Sequence, residues 1–288
     1  LRRPGNAGRD VPGSREGFRA RRQVLDRGKK QAALQGIRRL LRSVKRMPHT
    51  EGLMQYEPDY SRNQIHFLSQ RPEWLPRLEK AGRPRAILDL GAGGGRNIAC
   101  LRKVFPDATV TALDVSHIRC TLCRQTADVG VVCGDAVRLP FQDAIFDLVL
   151  STQVIEHVPD DRAFVIEATR VLRREGQMIV SSVLRLPRGW YFHRRGGRWV
   201  LDPTHEREYE SEAEFASLFD QNLRILETAI EPVKFSPARF VYRALARSGV
   251  VGPPDPGFFT RTALTGALEK WGLPVPGYRI ITVVAQKV

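Results

Sequence analysis

Ala86-Ile87-Leu88-Asp89-Leu90 runs without a break into Gly91-Ala92-Gly93-Gly94-Gly95 and then into Arg96-Asn97-Ile98-Ala99-Cys100-Leu101; this stretch decides the fold. The five residues before the glycines follow Pro84 and are apolar except for Asp89, the pattern of a strand buried on both faces of a parallel sheet. The residues after them read as helix. A strand, a glycine turn and a helix N-terminus make a ligand cradle, because backbone approaches closely where side chains are absent and amide hydrogens point outward. Glycine turns also join strands to helices for purely structural reasons, so spacing has to narrow the reading. A dinucleotide fingerprint counted from Gly91 and Gly93 needs glycine at position 96, which is Arg96. A P-loop needs Gly-Lys-Ser/Thr at the close of the turn, and that is absent too. What remains is D-x-G-x-G-x-G, with Asp89 two residues before Gly91.

Three further strands follow, and two of them end in an acid. Thr109-Val110-Thr111-Ala112-Leu113 leads into Asp114, 23 residues after Gly91 and close to the roughly 20 expected of a carboxylate that accepts both hydroxyls of a ribose. Val131-Val132-Cys133 leads into Gly134-Asp135-Ala136, where the acid suits an adenine amino group. Phe146-Asp147-Leu148-Val149-Leu150 leads into Ser151-Thr152-Gln153-Val154-Ile155-Glu156-His157-Val158. Each acid alone reads equally well as a solvated loop residue or a helix cap. Asp89, Asp114 and Asp135 at successive strand tips around one glycine turn read together as a ligand site.

ILDLGAGGGRNIACL, VTALDVS, GDAVRLPF and FDLVLSTQVIEHVPD, in this order and spacing, closely resemble the class I S-adenosylmethionine-dependent methyltransferases, in their broad branch of mainly small-molecule enzymes. The resemblance covers Ala86 to Val183 strongly and continues weakly to Val288. It implies an α/β, Rossmann-like, doubly wound seven-stranded sheet, mostly parallel with the last strand antiparallel. It also implies S-adenosyl-L-methionine as cofactor. Gly91, Gly93 and Gly95 would flank its methionine part, with Asp89 near the amino group. Asp114 would hold the ribose, with Val115 beside adenine. Asp135 and Ala136 would meet the adenine edge, and Ser151 to Gln153 would line the sulfonium end.

The remaining chain fits that plan. Asp160 is placed to cap a helix carrying Phe164, Ala168, Val171 and Leu172 on one face and ended by Gly176. Gln177 to Val180 reads as a fifth strand, and Ser211 with Glu214 as a capping box. Leu223 to Phe235 and Tyr278 to Val288 read as the last two strands. Residues 237–276 read as a helical insertion before the final strand, a substrate-side cap or structural padding.

Charge sets an extension over 1–50 apart from residues 51–288, which the resemblance implies are a methyltransferase domain. The net charge is +15, but residues 1–50 hold 15 Lys/Arg against 3 Asp/Glu, leaving 31 against 28 in the other 238. Leu34, Ile37, Leu41 and Val44 recur at helical spacing among Arg38, Arg39, Arg42, Lys45 and Arg46, a basic amphipathic helix inside Ala20 to Met47. Such a helix suits an anionic membrane surface, RNA, a transit role or plain solvent; it also reads as untranslated upstream sequence, with Met47 or Met54 as the start. No apolar run approaches the ~18 residues that cross a bilayer, and no secretory h-region is visible. Four cysteines are too few for a disulfide scaffold. A reducing, cytoplasmic setting is expected.

Methyl transfer is an in-line displacement in which the protein supplies position and, for some acceptors, a base. Two segments are placed to face the sulfonium: Gln153 to His157, and a lid-like loop over 184–209. The loop carries six arginines against three acids together with Trp190, Tyr191, Phe192, His193, Trp199 and His205, suited to an aromatic or anionic acceptor. His205 is the first candidate for a general base, since imidazole titrates near neutrality; a loop-bracing role is the alternative. His157 is the second candidate, and relatives use this Glu-His pair to shape the loop. Some relatives that methylate catechol-like quinone precursors bind metal through E-x-x-E-H; here the first Glu is Gln153, so no metal is expected. Cys120-x-x-Cys123, Cys133 on a buried strand and Cys100 read as small buried thiols, not a zinc site.

The function expected is methyl transfer to a small-molecule acceptor, at oxygen before nitrogen or carbon. RNA or protein methylation with the basic tail as docking arm is a rival, weakened by the near-neutral domain and by the absence of an Asn/Asp-Pro-Pro-Tyr/Phe signature after the fourth strand. A non-catalytic cofactor-binding partner subunit is another.

Overall fold

The structure, a computed structural model, describes residues 74–235 and 273–288, apart from 79, 127, 191–192, 203 and 220–221. The basic extension and most of the 237–276 insertion lie outside the described residues.

Seven strands form one sheet in the order β3-β2-β1-β4-β5-β9-β8. They are β1 (Ala86–Leu90), β2 (Thr109–Asp114), β3 (Gly130–Cys133), β4 (Phe146–Thr152), β5 (Leu172–Arg185), β8 (Leu223–Phe235) and β9 (Leu273–Lys287). All five residues of β1 are buried, as an apolar central strand requires. It pairs in parallel with β2 on one side and β4 on the other, so that Leu88 lies opposite both Thr111 and Val149. β9 runs antiparallel to β5 and to β8, the single reversed strand of the sheet. The strand order reverses between β1 and β4. In a doubly wound sheet the crevice at that reversal, beyond the carboxyl ends of the strands, is where ligands bind.

Among the helices are α1 (Leu75–Leu78), α2 (Arg96–Val104), α3 (His117–Thr126), α4 (Asp161–Val171) and α5 (Glu212–Ala216). α2 turns Ile98 and Leu101 onto Ile87, Val110, Leu148, Leu150 and Ile179, which anchors the glycine turn that precedes it to the sheet. Burying each such side chain contributes about 1.5–3 kcal/mol. Asp160 caps α4 by accepting the Ala163 N–H at 2.9 Å, and Phe164, Ala168 and Val171 face inward. Ser211 accepts the Glu214 N–H at 3.1 Å, while the Glu214 carboxylate reaches back to the Glu210 N–H at 2.7 Å. The box thus closes one residue upstream of the usual partner.

Three boundaries differ from expectation. α4 ends at Val171, five residues before Gly176, because Leu172 already pairs with Phe146 of β4. Arg173 to Gly176 then bulge out before Gln177 resumes pairing at Leu148. Gly176 serves that bulge: a Cβ there would lie 2.9 Å from the Arg173 carbonyl. β9 starts at Leu273, so residues 273–276 belong to the strand and not to the insertion. The loop after β5 contains a hairpin of β6 (His193–Arg195) and β7 (Arg198–Val200), turned by Gly196 and Gly197 at φ 55° and 81°. Two consecutive positive φ values are the signature of a type I′ turn. Among the described residues no helix is long and apolar enough to cross a membrane.

Candidate cofactor and acceptor site

The glycine turn leaves β1 and folds toward β2. Gly91 and Ala92 donate their N–H groups to the Leu113 carbonyl at 2.7 and 2.9 Å. Gly91, Gly93 and Gly95 sit at φ 80°, 54° and 87°, where glycine alone is unstrained. A Cβ on Gly91 would collide with the Val154 side chain, whereas one on Gly93 would meet nothing within 4 Å. The turn is therefore closed on the β4 side and open above Gly93.

Asp114 ends β2 and is buried. One carboxylate oxygen accepts the Gly93 N–H at 2.8 Å and the other the Ser116 N–H at 2.9 Å. This ties the acid to the turn, and each oxygen retains a second lone pair for a hydroxyl. The Gly134 N–H donates to the Asp114 carbonyl at 3.0 Å, joining the tips of β2 and β3. Beyond it Asp135 accepts the Val137 N–H at 3.0 Å, Ala136 is buried and Val115 half-buried. The expected ribose and adenine residues thus share one rim.

Asp89 is wholly buried. Its Oδ1 accepts from the Asn97 side chain at 3.1 Å, and its Oδ2 has no partner. Burial pushes its carboxyl up to about 7, opposed by the Asn97 hydrogen bond and reinforced by the charge of Asp114. Asn97 also donates to the Thr152 hydroxyl at 3.1 Å, so α2, β1 and β4 meet at one amide group. Sequence reasoning missed Asn97; the available signal was a polar residue in the first turn of a helix that otherwise buries its sheet-facing side.

Ser151 uses its hydroxyl internally, donating to the Leu90 carbonyl at 2.8 Å. It therefore braces β4 against β1, and its hydroxyl is directed into the sheet. Gln153 sits at φ 56°, a left-handed conformation costly for a non-glycine residue, and its N–H donates to the Ser181 carbonyl at 3.0 Å. Its side-chain Nε2 is buried without a partner. The unsatisfied oxygen of Asp89 and the unsatisfied amide of Gln153 are complementary to an ammonium and to an oxygen-bearing group, respectively.

Ile155–His157 form a short 3-10 turn after β4, and the 202–209 segment docks upon it. Glu206 donates its N–H to the Glu156 carbonyl at 2.8 Å, and Arg207 donates to the carbonyls of Val158 and Pro159 at 2.6 and 2.7 Å. This brings His157 and His205 together, ring centroids 4.8 Å apart. His157 Nδ1 lies 3.2 Å from the Thr204 hydroxyl, and His205 Nδ1 lies 2.9 Å from Glu208 Oε1. Burial works against a charge on His205, but Glu208, Glu156 and Asp202 outweigh it and raise its pKa above the usual value. His157 is driven down to about 4 by burial and by the charge of His205. The hydrogen bond to Glu208 and the packing of the two rings suit His205 to bracing this loop. Trp190 and Trp199 meet edge to face at 5.9 Å further along the same loop.

The cysteines divide differently from expectation. Cys120 and Cys123 are buried on α3, but Cys133 is exposed, because β3 is an edge strand and its last residue faces solvent. A hydrogen bond from Cys120 and the nearby His117 lower the Cys133 thiol to about 6, against its partial burial.

Comparison with known proteins agrees with this arrangement. Residues 88–180 match a methyltransferase domain family. A malonyl-[acyl-carrier protein] O-methyltransferase of Hahella chejuensis is 36% identical over 116 residues, covering 39% of this chain and 41% of that protein. A fatty-acid O-methyltransferase of Mycolicibacterium smegmatis is 28% identical over 176 residues, covering 56% and 63%. The matches with the first three curated relatives span between 36% and 47% of those proteins' own length. The YcgJ protein of Bacillus subtilis shares the fold with a TM-score of 0.50 at 17% identity, over 75% of this chain and 99% of that one. Strand order, glycine turn, strand-tip acids and the matched segment agree: the sheet is that of a Rossmann-like methyltransferase fold, and residues 88–180 within it are a methyltransferase domain.

Proposed function

We propose that this protein transfers a methyl group from S-adenosylmethionine to an oxygen of a small acceptor, with carboxylate-bearing acyl compounds as the first class to examine. The observation that carries the reading is the rim formed by Gly91, Gly93, Asp89 and Asp114, with an unpartnered Asp89 oxygen beside an open turn. That rim fits the cofactor. Asp114 would accept the ribose hydroxyls, Asp135 and the Ala136 backbone would meet adenine, and Asp89 would face the amino group. The Gln153 amide would lie toward the methionine end. When bound, the cofactor supplies an electrophilic methyl on a sulfonium sulfur.

The protein's own contribution is then position and exclusion of water. Val154 closes the floor beneath Gly91, and the 202–209 segment, pinned by Arg207 and Glu206, walls the acceptor side. The choice of oxygen follows the names of the two relatives above, both O-methyltransferases of acyl compounds. A carboxylate is already ionised at neutral pH and needs no base. The test is transfer of a labelled methyl from S-adenosylmethionine by the full chain to a panel of fatty acids, acyl thioesters ending in a free carboxylate, phenols and amines. Label in alkali-labile methyl esters supports the reading. Label confined to amines overturns it.

A further inference from the structure

Two thiols meet where β2 and β3 end. Cys120 lies on α3 and is wholly buried, whereas Cys133 is the last residue of β3 and is exposed. Their sulfurs flank successive carbonyls of one chain segment: Cys120 Sγ lies 3.4 Å from the Asp114 oxygen, and Cys133 Sγ lies 3.4 Å from the Val115 oxygen. Cys120 Sγ also lies 3.6 Å from the carbonyl of Val132, the residue before Cys133. The Cys120 thiol hydrogen-bonds the Cys133 sulfur, and His117, the first residue of α3, reaches the same sulfur. Cys123, by contrast, packs into the hydrophobic core with Ile98 and Leu101. We propose that Cys133 is a hydroperoxide-sensitive thiol and that Cys120 resolves it into a reversible disulfide that weakens the cofactor site.

The surroundings suit each sulfur to its part. The start of a helix and an imidazole favour a thiolate. The Cys120 hydrogen bond and His117 hold the Cys133 thiol at about 6, against its partial burial and the charge of Asp114, so the thiolate prevails at neutral pH. The same hydrogen bond, together with burial, raises the Cys120 thiol and keeps it protonated. An exposed thiolate beside a second thiol is the arrangement of a reversible oxidation site. In the first step the Cys133 thiolate attacks a peroxide oxygen. An S–O bond forms, the O–O bond breaks, and the sulfur gives two electrons to the peroxide, whose other oxygen takes a proton from solvent and leaves as an alcohol or water. In the second step the Cys120 sulfur attacks the Cys133 sulfenic acid. The S–S bond forms, the S–O bond breaks, and the departing hydroxide takes the Cys120 proton to leave as water. A dithiol returns both thiols by exchange. The covalent bond is shorter than the hydrogen bond it replaces. Closure falls on β3, an edge strand of four residues, since α3 is anchored in the core through Cys123. Gly134 and Asp135 follow directly from that strand, and the Gly134 N–H donates to the Asp114 carbonyl at 3.0 Å. The effect on the cofactor rests on the rim proposed above; the disulfide itself does not.

The test treats the full chain with hydrogen peroxide, removes the excess with catalase, and maps disulfides by mass spectrometry of peptides from the non-reduced protein. The expected product links Cys120 to Cys133, and dithiothreitol restores all 4 thiols. Cys120→Ala should stop at a Cys133 sulfenic acid that dimedone captures. Cys133→Ser, a change at an exposed position, should keep its remaining thiols at the same peroxide dose. S-adenosylmethionine affinity, measured by calorimetry on the same samples, should fall about tenfold in the linked form and return on reduction. Because the coupling is reciprocal, saturating cofactor should shift the equilibrium with dithiothreitol toward the thiols by the same factor. A reduced wild type that binds no S-adenosylmethionine overturns the cofactor reading and with it the effect on binding, while the peptide map decides the disulfide separately. A linkage between any other pair, a sulfenic acid captured at Cys100 before Cys133, no linkage in the folded wild type, or unchanged affinity in the linked form overturns the proposal.

Discussion

Replacing Asp89 with Asn should stabilise the cofactor-free protein at alkaline pH while weakening cofactor binding. Asp89 is fully buried, and its carboxyl is pushed from 3.8 up to about 7. A raised carboxylate means that the folded protein holds a proton which the unfolded chain has released. Stability therefore falls as pH rises from about 4 to 7 and stays low above that. Three pH units correspond to about 4 kcal/mol at pH 8. Asn removes that penalty but places a buried N–H₂ where Oδ2 has no partner, at a cost of about 1–3 kcal/mol. The net gain expected at pH 8 is about 1–3 kcal/mol, or roughly 2–4 °C in Tm per kcal/mol. Urea unfolding of both proteins at pH 8 and pH 4.5 measures it, and the advantage of Asn should vanish at the lower pH. Cofactor affinity should fall at least tenfold, because a carboxylate facing an ammonium is exchanged for a neutral amide. Equal stabilities at pH 8, or a variant that binds S-adenosylmethionine as tightly as wild type, would refute the reasoning.

Gly91→Ala should cost about 2–4 kcal/mol, combining a left-handed alanine with the collision against Val154; adding Val154→Ala should recover the steric part in denaturant titrations. Ser151→Ala removes the buried bond to the Leu90 carbonyl and should cost about 1–2 kcal/mol by thermal unfolding, with little direct effect on cofactor affinity. Asp114→Asn should weaken S-adenosylmethionine binding at least tenfold by calorimetry, about 1.4 kcal/mol or more, since it loses the charged acceptor that holds Gly93 and that we propose for the ribose.

The central sheet was legible because a strand buried on both faces must be written as an apolar run. β1, β2 and β4 are such runs, and the tips of β1 and β2 are punctuated by glycine and acid. The same logic placed Asp89, Asp114 and Asp135 on one rim, since strand order and chain direction put consecutive parallel tips side by side. Boundaries set by pairing were less legible. α4 gives way at Leu172 because Phe146 offers a partner there, a contact between residues 26 apart that leaves no local trace. Ser151 reads as a polar rim residue until the Leu90 carbonyl is seen beneath it. Cys133 looks buried in an apolar run and is exposed because β3 is an edge. The meeting of Glu156, His157 and His205 depends on how the loop after β5 folds back, which no periodicity encodes.

The most direct test of the central claim is calorimetric titration of the full chain with S-adenosylmethionine, S-adenosylhomocysteine and NAD. The account predicts one site per chain for each sulfur compound, lost together in Asp114→Asn, and no heat of binding with NAD. Binding of NAD alone, or sulfur-cofactor binding indifferent to Asp114, would contradict it.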